Sequence, residues 1–157
     1  MIAVQTLGIE CERASIRAAA ASDFESIVLA IVREAVNEGD FTVINEHVAS
    51  DIVDISPQCL FTGGRRGLVE AIQVARYRMP DLIARVHEIR RADCNEVLVG
   101  LMLTGTYAGD NLAPTAHNGK TATWRQRHTW WFRGYQITAH RGEVDTAALY
   151  AALGPPY

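Results

Sequence analysis

Residues 120–153 read KTATWRQRHTWWFRGYQITAHRGEVDTAALYAAL. Apolar and polar residues alternate up to the Arg133-Gly134 pair and alternate again after it, which predicts two strands joined by a tight turn. The sequence then changes to TAALYAAL, a run of good helix formers, and Asp145 stands directly before it. An aspartate at that position accepts backbone N–H groups that the first helical turn leaves open. This stretch therefore predicts a β-hairpin followed by a capped helix.

The chain upstream of this hairpin divides into a helical part and a β part. Apolar residues recur at helical spacing over residues 24–39, and shorter helical patterns cover residues 41–49 and 64–79. A short strand over residues 51–56 lies between the second and third helices, and two long alternating runs precede the hairpin. Helices grouped before four long strands indicate an α+β fold, in which helices cover the concave side of a curved, mostly antiparallel sheet. Such a cone leaves a pocket.

Length and composition limit the classes of protein. The chain has 157 residues, 48% of them hydrophobic, and a formal net charge of -3 at pH 7. These values are typical of one globular domain and provide no basic field for nucleic acid. The three cysteines lie far apart, which argues against a disulfide framework, and the N-terminal segment fits neither a signal peptide nor a membrane span. We therefore expect a cytoplasmic protein that binds neither nucleic acid nor membrane.

Several strings in this chain occur in an order and spacing that resemble the SnoaL-like polyketide cyclases of the NTF2-like superfamily. They fall within residues 24–154 and read VREAVNEGDFTVINEHVASDIVDISP, GRRGLVEAI followed by YRMPDLIARVHEI, GTYAG, and FRGYQITAHRGEVDTAALYAALG. The resemblance implies one cone-shaped domain over residues 22–157, with residues 1–21 as an N-terminal extension. It also implies a homodimer that forms through the outer face of the sheet.

The chain departs from the family pattern where several family cyclases carry the groups that transfer protons. The family commonly has Gly-Thr-His where this chain has Gly105-Thr106-Tyr107. In the last strand the family has an acidic residue and, two positions later, a tryptophan, whereas this chain has Ala139 and Arg141. If the protein is an enzyme, its acid and base must therefore come from elsewhere.

The first strand of the hairpin places a histidine among aromatic residues. By the period of two, one face of this strand carries Trp124, Gln126, His128, Trp130 and Phe132. An imidazole framed by indoles in an apolar pocket stays neutral near physiological pH and can act as a base or hydrogen-bond donor. We therefore predict His128 as a catalytic residue and Trp124, Gln126 and Trp130 as substrate-binding residues. The alternative is that this face belongs to the core and that a neighbour satisfies His128.

Two further residues are candidates for stabilising negative charge on a substrate. Arg141 would share a face with Ala139 and Ile137, and a guanidinium on a pocket-lining face can hold a carboxylate, enolate or phenolate. Tyr107 can donate a hydrogen bond to an oxyanion. We include both as catalytic candidates. The alternatives are a solvated Arg141 at the strand end and a Tyr107 that packs with its hydroxyl at the surface.

Three carboxylates lie near the predicted pocket. Asp54 is on the first strand of the cone, and Glu143 is at the end of the last strand. We include both as substrate-binding candidates, although an exposed acid in a turn is the commoner role for a residue such as Glu143. We predict that Asp145 caps the C-terminal helix instead.

Metal and cofactor sites are not indicated by the sequence. Asp110 and His117 share a loop-like segment that supplies no second histidine, and His47, His87 and His140 have no partner at ligand spacing. No phosphate-binding or dinucleotide-binding motif is present in the sequence. We therefore predict no metal and no cofactor.

Two classes of function are compatible with these residues. The first is a cofactor-independent enzyme of natural-product biosynthesis. It would act on a hydrophobic polyketide- or terpenoid-like small molecule by cyclisation, isomerisation or epoxide opening with acid and base catalysis. The second is a binding or assembly module that keeps the cone without the chemistry, because a fold alone does not determine function. The residues at positions 107 and 139 favour the second class, and the aromatic pocket with a few polar groups favours the first.

Overall fold

The computed structural model describes residues 23–108 and 118–154. The first helix, α1, is α-helical over residues 23–30 and continues as a π-helix over Ile31–Glu38. The remaining elements, in chain order, are α2 (Thr42–His47), β1 (Val48–Asp54), α3 (Gly64–Arg78), β2 (Ile83–Asp93), β3 (Glu96–Thr106), β4 (Thr121–Arg133), β5 (Gln136–Val144) and α4 (Thr146–Leu153). Within the described residues, no helix is long and apolar enough to span a membrane.

The five strands form one curved, unclosed sheet in the order β1-β5-β4-β3-β2. Strands β2 to β5 pair with their sequence neighbours in antiparallel fashion, and β1 pairs with β5 in parallel. The predicted α+β class and the predicted antiparallel meander are both confirmed. Because β1 lies beside β5, a strand from the helical part of the chain adjoins the end of the hairpin. This neighbourhood brings residues far apart in sequence together at the site described below.

The helices cover one face of the sheet, which we call the inner face. Helix α1 packs on β2, α3 packs on β1, and α4 packs on β4. In α1, Val28, Ile31 and Ala35 recur at helical spacing and are almost completely buried against the sheet. Burial of each of the two larger side chains stabilises the fold by roughly 1.5–3 kcal/mol. The opposite, outer face carries the alternate residues of each strand.

The C-terminal end of α1 is fixed by two side chains. Gly39 ends the helix with a φ of 76°, a left-handed conformation that glycine adopts without strain. Arg76 of α3 donates hydrogen bonds of 2.7 Å to the carbonyls of Val36 and Asn37. The Asn37 amide also pairs with the backbone of Ala84 on β2 in both directions, at 2.9 and 2.7 Å. The helix layer is therefore held at a fixed position over the edge of the sheet.

A β-bulge in β5 decides which of its side chains face inward. Phe132 pairs with Ile137, but the preceding residue Trp131 pairs with Ala139, so Thr138 is an extra residue in the ladder. One extra residue reverses the alternation that follows it. His140 consequently lies on the inner face and is 2% exposed. The prediction that Arg141 shares the face of Ile137 is wrong for this reason.

Asp145 caps α4, as the sequence predicts. Its carboxylate oxygen Oδ1 accepts a hydrogen bond from the backbone N–H of Ala148 at 3.0 Å. The carbonyl of Asp145 also accepts the backbone N–H of Leu149, at 3.2 Å. The helix lies across β4 and contributes Leu149 and Leu153 to the pocket lining. Asp145 therefore supports the site through the position of α4.

We expect Asp145→Ala to lower the free energy of unfolding by about 1 kcal/mol, because one backbone donor of α4 loses its partner. Urea unfolding followed by circular dichroism measures this loss. Glu143→Ala is the matched control, since the Glu143 side chain is half exposed and its removal is expected to change stability by less than about 0.5 kcal/mol. Equal stabilities of the two variants would contradict the capping role.

Candidate functional site

A cavity of about 380 Å³ lies between the inner face of the sheet and the helices. Its size falls within the usual range for small-molecule sites. Four predicted residues of β4 line it, namely Trp124, Gln126, His128 and Trp130. The predicted inward orientation of this strand face is therefore confirmed. Phe132, on the same face, is buried in the core beneath Phe24, with ring centroids 4.1 Å apart.

The rest of the lining is mostly apolar. Helices α1, α3 and α4, the loop after β1 and the strands of the sheet contribute Ile31, Val32, Val36, Leu60, Phe61, Leu68, Ala71, Ile72, Met79, Leu82, Val99, Leu101, Leu103, Val144, Leu149 and Leu153. Ala75 and Arg78, near the C-terminal end of α3, are exposed residues of the lining, so the cavity opens there. Phe61, Trp130 and His140 are buried residues of the lining.

A chain of hydrogen bonds connects the cavity to a buried carboxylate. His128 Nδ1 lies 2.9 Å from His140 Nε2, and His140 Nδ1 lies 2.9 Å from Asp54 Oδ1. His128 Nε2 lies 2.9 Å from Gln126 Oε1. The side chains of His140 and Asp54 are 3% and 0% exposed. Strands β4, β5 and β1 each supply one member of the chain from Asp54 through His140 to His128.

The residues around the two histidines fix the positions of their rings. Trp130 packs against His140 with ring centroids 4.3 Å apart, and Phe61 lies on the same imidazole at 5.6 Å. His128 pairs across the strands with Gly142. A Cβ atom at position 142 would lie 3.0 Å from His128 Nδ1 and 2.4 Å from Leu60 Cδ1. The absence of a side chain at Gly142 therefore leaves the space in which the His128 ring lies.

The Asp54 carboxylate is surrounded by hydrogen-bond donors. Its Oδ2 accepts the backbone N–H groups of Leu60 at 2.6 Å and Phe61 at 3.3 Å. Its Oδ1 accepts the hydroxyl and the backbone N–H of Ser56 in addition to His140. The Ser56 hydroxyl oxygen in turn accepts the Gly142 N–H of β5 at 2.7 Å. The loop that follows β1 thus folds around the carboxylate, and the carboxylate holds that loop against β5.

Burial and hydrogen bonding shift the pKa values of all three groups. The pKa of His128 is lowered from 6.5 to about 3, chiefly by burial and also by His140, while the charge of Asp54 acts in the opposite direction. Burial also lowers the pKa of His140, although the hydrogen bond and charge of Asp54 oppose that shift. Burial alone would raise the pKa of Asp54, but hydrogen bonds from Ser56, His140 and Phe61 outweigh it and lower that pKa. At neutral pH the site therefore holds two neutral imidazoles and one carboxylate.

These protonation states determine where the protons lie. An ionised Asp54 only accepts hydrogen bonds, so His140 carries its proton on Nδ1. Because neutral His140 then accepts at Nε2, His128 carries its proton on Nδ1 and has a lone pair on Nε2. Rotation of the Gln126 amide by 180° places its NH₂ group where Oε1 lies, and that group can donate to the lone pair. The basic nitrogen of the hydrogen-bond chain is thus His128 Nε2. It lies beside the side chain of Gln126, which also lines the cavity.

The other predicted site residues divide between the two faces of the sheet. Tyr107 lines the cavity, as predicted. Arg141 and Glu143 lie on the outer face, about half exposed and 3.2 Å from each other, so their predicted positions in the pocket are wrong. Asp54 lies behind His140 and is not among the lining residues, so its predicted position in the pocket is also wrong. Among the residues that the structure describes, Arg78 is the one that brings a guanidinium into the lining.

His140 is the site residue that the sequence prediction missed. It has no partner at metal-ligand spacing, and strict alternation counted from Ile137 places it on the outer face. The bulge at Thr138 reverses that assignment. A usable signal is the order Ile-Thr-Ala-His-Arg-Gly before the charged strand end, because a glycine opposite His128 leaves room for a ring. That signal depends on the strand register, which the sequence does not specify.

Residues 23–108 and 118–154 contain no group of three or more His, Cys, Asp or Glu side chains that could hold a metal ion. Asp110 and His117, which share the loop-like segment of the sequence, lie outside the described residues. His140 Nε2 and His128 Nδ1 lie 2.9 Å apart. Both of these nitrogens are therefore engaged in a hydrogen bond with each other.

A family model described as SnoaL-like polyketide cyclase matches residues 26–153. The chain belongs to this family. The predicted resemblance is thus confirmed, and the NTF2-like cone is the fold of the structures it matches. No curated protein sequence matches the chain.

Solved structures agree with this fold. AclR from Streptomyces galilaeus is 22% identical with a TM-score of 0.71, and the match covers 87% of this chain and 99% of that chain. Wild-type IdmH from Streptomyces antibioticus is 22% identical with a TM-score of 0.70, and the match covers 84% and 99%. A SnoaL-like polyketide cyclase from Agrobacterium tumefaciens is 16% identical with a TM-score of 0.66, covering 82% and 95%. At these identities the structural matches establish the fold alone.

This SnoaL-like chain carries titratable groups in its cone at positions that the family pattern did not lead us to expect. Position 107 holds a tyrosine and position 139 an alanine. The histidines in the cavity lining are instead His128 of β4 and His140 of β5. Imidazole groups therefore reach the cavity from positions other than 107 and 139.

Proposed function

We propose that the protein is a cofactor-independent cyclase or isomerase that acts on a hydrophobic, carbonyl-bearing, polyketide- or terpenoid-like small molecule. The observation that carries the proposal is the neutral imidazole of His128, which lines an apolar cavity and is linked through His140 to a buried carboxylate. A neutral base in a largely apolar cavity is suited to removing a proton from carbon.

The proposed mechanism begins at His128 Nε2. When substrate displaces the Gln126 amide, the lone pair on this nitrogen removes a proton from a carbon next to a carbonyl group, and the electron pair moves to the carbonyl oxygen as an enolate. The imidazolium that forms is stabilised by His140 and by the fixed negative charge of Asp54. Tyr107 and Arg78 are proposed to stabilise the enolate, since both belong to the cavity lining.

The second half of the reaction decides the product. Where the enolate is conjugated with a carbon–carbon double bond, return of the proton from His128 to its γ-carbon completes an isomerisation. Attack of the enolate carbon on a second carbonyl of the same molecule, with protonation of the new alkoxide, completes a cyclisation. Because its lowered pKa leaves His128 unprotonated at neutral pH, this residue is not the protonated acid that epoxide opening would require at the start.

Hydrogen exchange in D₂O tests this proposal without knowledge of the natural substrate. Purified protein is incubated with a panel of apolar cyclic ketones and 1,3-diketones, and deuterium uptake is followed by mass spectrometry. We expect uptake at the carbon next to the carbonyl, above the rate with buffer alone, for at least one ketone that binds. Binding of several ketones without exchange would contradict the proposal and would support the alternative, a non-catalytic binding module.

The alternative function rests on a specific contact. His128 Nε2 already lies at hydrogen-bond distance from Gln126, and a pocket whose polar groups satisfy one another needs no reaction to explain them. We prefer the enzyme because burial of the Asp54 carboxylate costs free energy, and a pocket that only binds a ligand would not need a buried charge. A simple apolar lining would bind a hydrophobic molecule equally well.

We also propose a homodimer formed through the outer face of the sheet. This face carries Arg125, Arg127, Thr129 and Trp131, as the inward orientation of their neighbours on β4 requires. Near Trp131, the outer face continues through Ala139 to Val53, which is 56% exposed. Exposed apolar residues on a sheet face are typical of an interface.

Light scattering at micromolar concentration is expected to report a dimer. Val53→Lys is expected to shift the protein toward monomer, because a charged side chain would enter the proposed apolar contact. Val74→Lys is the matched control: Val74 is 48% exposed on α3, on the side of the molecule away from the outer face. A monomer for the unmodified protein, or equal effects of the two substitutions, would contradict the proposal.

A further inference from the structure

One polar side chain of the cavity lies directly beside the proposed base. Gln126 and His128 line the cavity from the same face of β4, and the Gln126 amide lies 2.9 Å from His128 Nε2. Across the sheet, Gln126 pairs with Leu101 on β3 and with Val144 on β5, whose apolar side chains form no hydrogen bonds. An amide has two N–H donors and two acceptor lone pairs. Within the described part of the chain, the contact with His128 uses one of these four positions.

The end of this amide that points away from His128 is accessible. Gln126 and His128 are half-buried, whereas Trp124 and Trp130, before and after them on the same face, are buried. Among the described residues, the fully buried side-chain nitrogen and oxygen atoms without a hydrogen-bond partner are the two indole nitrogens, and no atom of Gln126 is one of them. A molecule in the cavity can therefore contact the Gln126 amide.

We infer that Gln126 is a second catalytic residue of the proposed reaction, in which its amide N–H donates a hydrogen bond to the carbonyl oxygen of the substrate while His128 removes the proton. In an enolate, the oxygen is attached to the carbon beside the one that loses the proton. Reacting atoms lie about 3–3.5 Å apart before transfer, so the donor must lie close to the base. The 2.9 Å contact between the two side chains meets this condition. The inference rests on the proposed function, because it assigns a further group of the same reaction.

The amide changes its partner when the substrate binds. Before that, one N–H of Gln126 donates to the lone pair on His128 Nε2. A substrate C–H that reaches Nε2 takes this place, and rotation of the amide turns its NH₂ group toward the adjacent carbonyl oxygen. The C–H bond breaks, the proton binds Nε2, the electron pair forms the C=C bond of the enolate, and the carbonyl π pair moves to the oxygen that Gln126 holds. The developing charge thus meets a donor that is already in position.

Gln126 acts at a different place from Tyr107 and Arg78. The backbone N–H of Tyr107 donates to the carbonyl of Lys120, eight positions before His128, and the Arg78 carbonyl accepts the N–H of the residue that follows Tyr107. Both residues therefore lie at the N-terminal end of β4. They can hold charge that conjugation carries along the substrate, whereas Gln126 holds the oxygen beside the reacting carbon.

Ionisation of a bound phenol tests the inference without catalysis. The probe is 4-nitrophenol, whose phenolate oxygen stands in for the enolate oxygen and whose absorbance reports its ionisation. Gln126→Leu removes the donor, and Gln136→Leu is the matched control, the same change at an exposed position of β5 outside the cavity lining. A hydrogen bond stabilises the charged form more than the neutral form. We therefore expect the pKa of the bound probe to be about one unit higher in Gln126→Leu than in the control and the unmodified protein.

Deuterium exchange and ketone binding give the second measurement. Gln126→Leu is expected to lower the exchange rate at saturating ketone by about 100- to 1,000-fold, the usual effect of losing one oxyanion donor. Binding of the ketone is expected to weaken by at most about tenfold, because a neutral carbonyl forms the weaker hydrogen bond. A residue that only maintained the shape of the cavity would change the rate and the affinity alike. Gln126→Met, which is unbranched and also lacks the donor, takes the place of Gln126→Leu if that variant does not fold.

Equal ionisation of the probe in the three proteins, or exchange by Gln126→Leu within about twofold of the unmodified rate, would overturn the inference. The inference and the proposed function fail separately. If ionisation of the probe depends on Gln126 but no ketone exchanges, the oxyanion-binding position stands and the enzyme is rejected. If exchange survives the loss of the amide, the enzyme stands and this role of Gln126 is rejected.

Discussion

Replacing His128 with glutamine is expected to lower turnover by about 100- to 10,000-fold, the usual contribution of a general base. The side chain supplies the lone pair at the boundary between the hydrogen-bond chain and the cavity. Glutamine keeps a polar group at the site and cannot accept a proton from carbon. The rate of deuterium exchange into the best ketone of the panel is the measurement.

His87→Gln is the matched control for this experiment. His87 lies over Gly100, whose partner in β4 is Arg127 of the outer face. The same change of residue type on that face is expected to leave exchange within about twofold of the parental rate, since it touches no part of the cavity. Exchange by the His128 variant at the parental rate would show that His128 is not the base. It would also remove the main support for the enzyme.

Replacing Asp54 with alanine is expected to lower the free energy of unfolding by about 3–5 kcal/mol, which is typical for removal of one partner of a buried charged pair. The carboxylate accepts hydrogen bonds from Ser56, Leu60, Phe61 and His140, and its side chain is fully buried. Alanine would leave these donors in the interior without an acceptor. Urea unfolding monitored by circular dichroism gives the change.

Asp51→Ala provides the comparison on the same strand, because Asp51 is exposed and its loss is expected to change stability by less than about 0.5 kcal/mol. Asp54→Asn is expected to lie between the two, since an amide oxygen keeps part of the accepting capacity without the charge. If Asp54→Ala is no less stable than Asp51→Ala, the carboxylate does not organise the loop after β1.

The sequence predicts the fold because several local patterns agree. The alternation in β4 correctly predicts that Trp124, Gln126, His128 and Trp130 face the same side, since this strand pairs with β3 without a bulge. The cap at Asp145 depends only on its immediate neighbours and is confirmed. Features that depend on a single strand or helix can therefore be predicted from the sequence.

The rest of the site depends on register between elements. A single extra residue at Thr138 moves His140 inward and Arg141 outward, and no propensity in the strand indicates that bulge. The contact between Asp54 and His140 joins residues 86 positions apart through the parallel pairing of β1 and β5. The sequence shows both residues, but their contact arises from the order of the strands in the sheet. The pattern within each strand does not determine that order.

The protonation of His128 tests the central claim most directly. An ordinary histidine with a pKa of 6.5 is mostly charged at about pH 5, whereas burial lowers the pKa of His128 to about 3. Because the unfolded chain then binds a proton that the folded protein does not, stability must fall as the pH falls from 6.5 toward 3. Nitrogen-15 imidazole spectra at about pH 5 are expected to show a neutral His128 with its proton on Nδ1 and a bare Nε2. A charged His128 at that pH, or a proton on Nε2, would contradict the assignment of this nitrogen as the base.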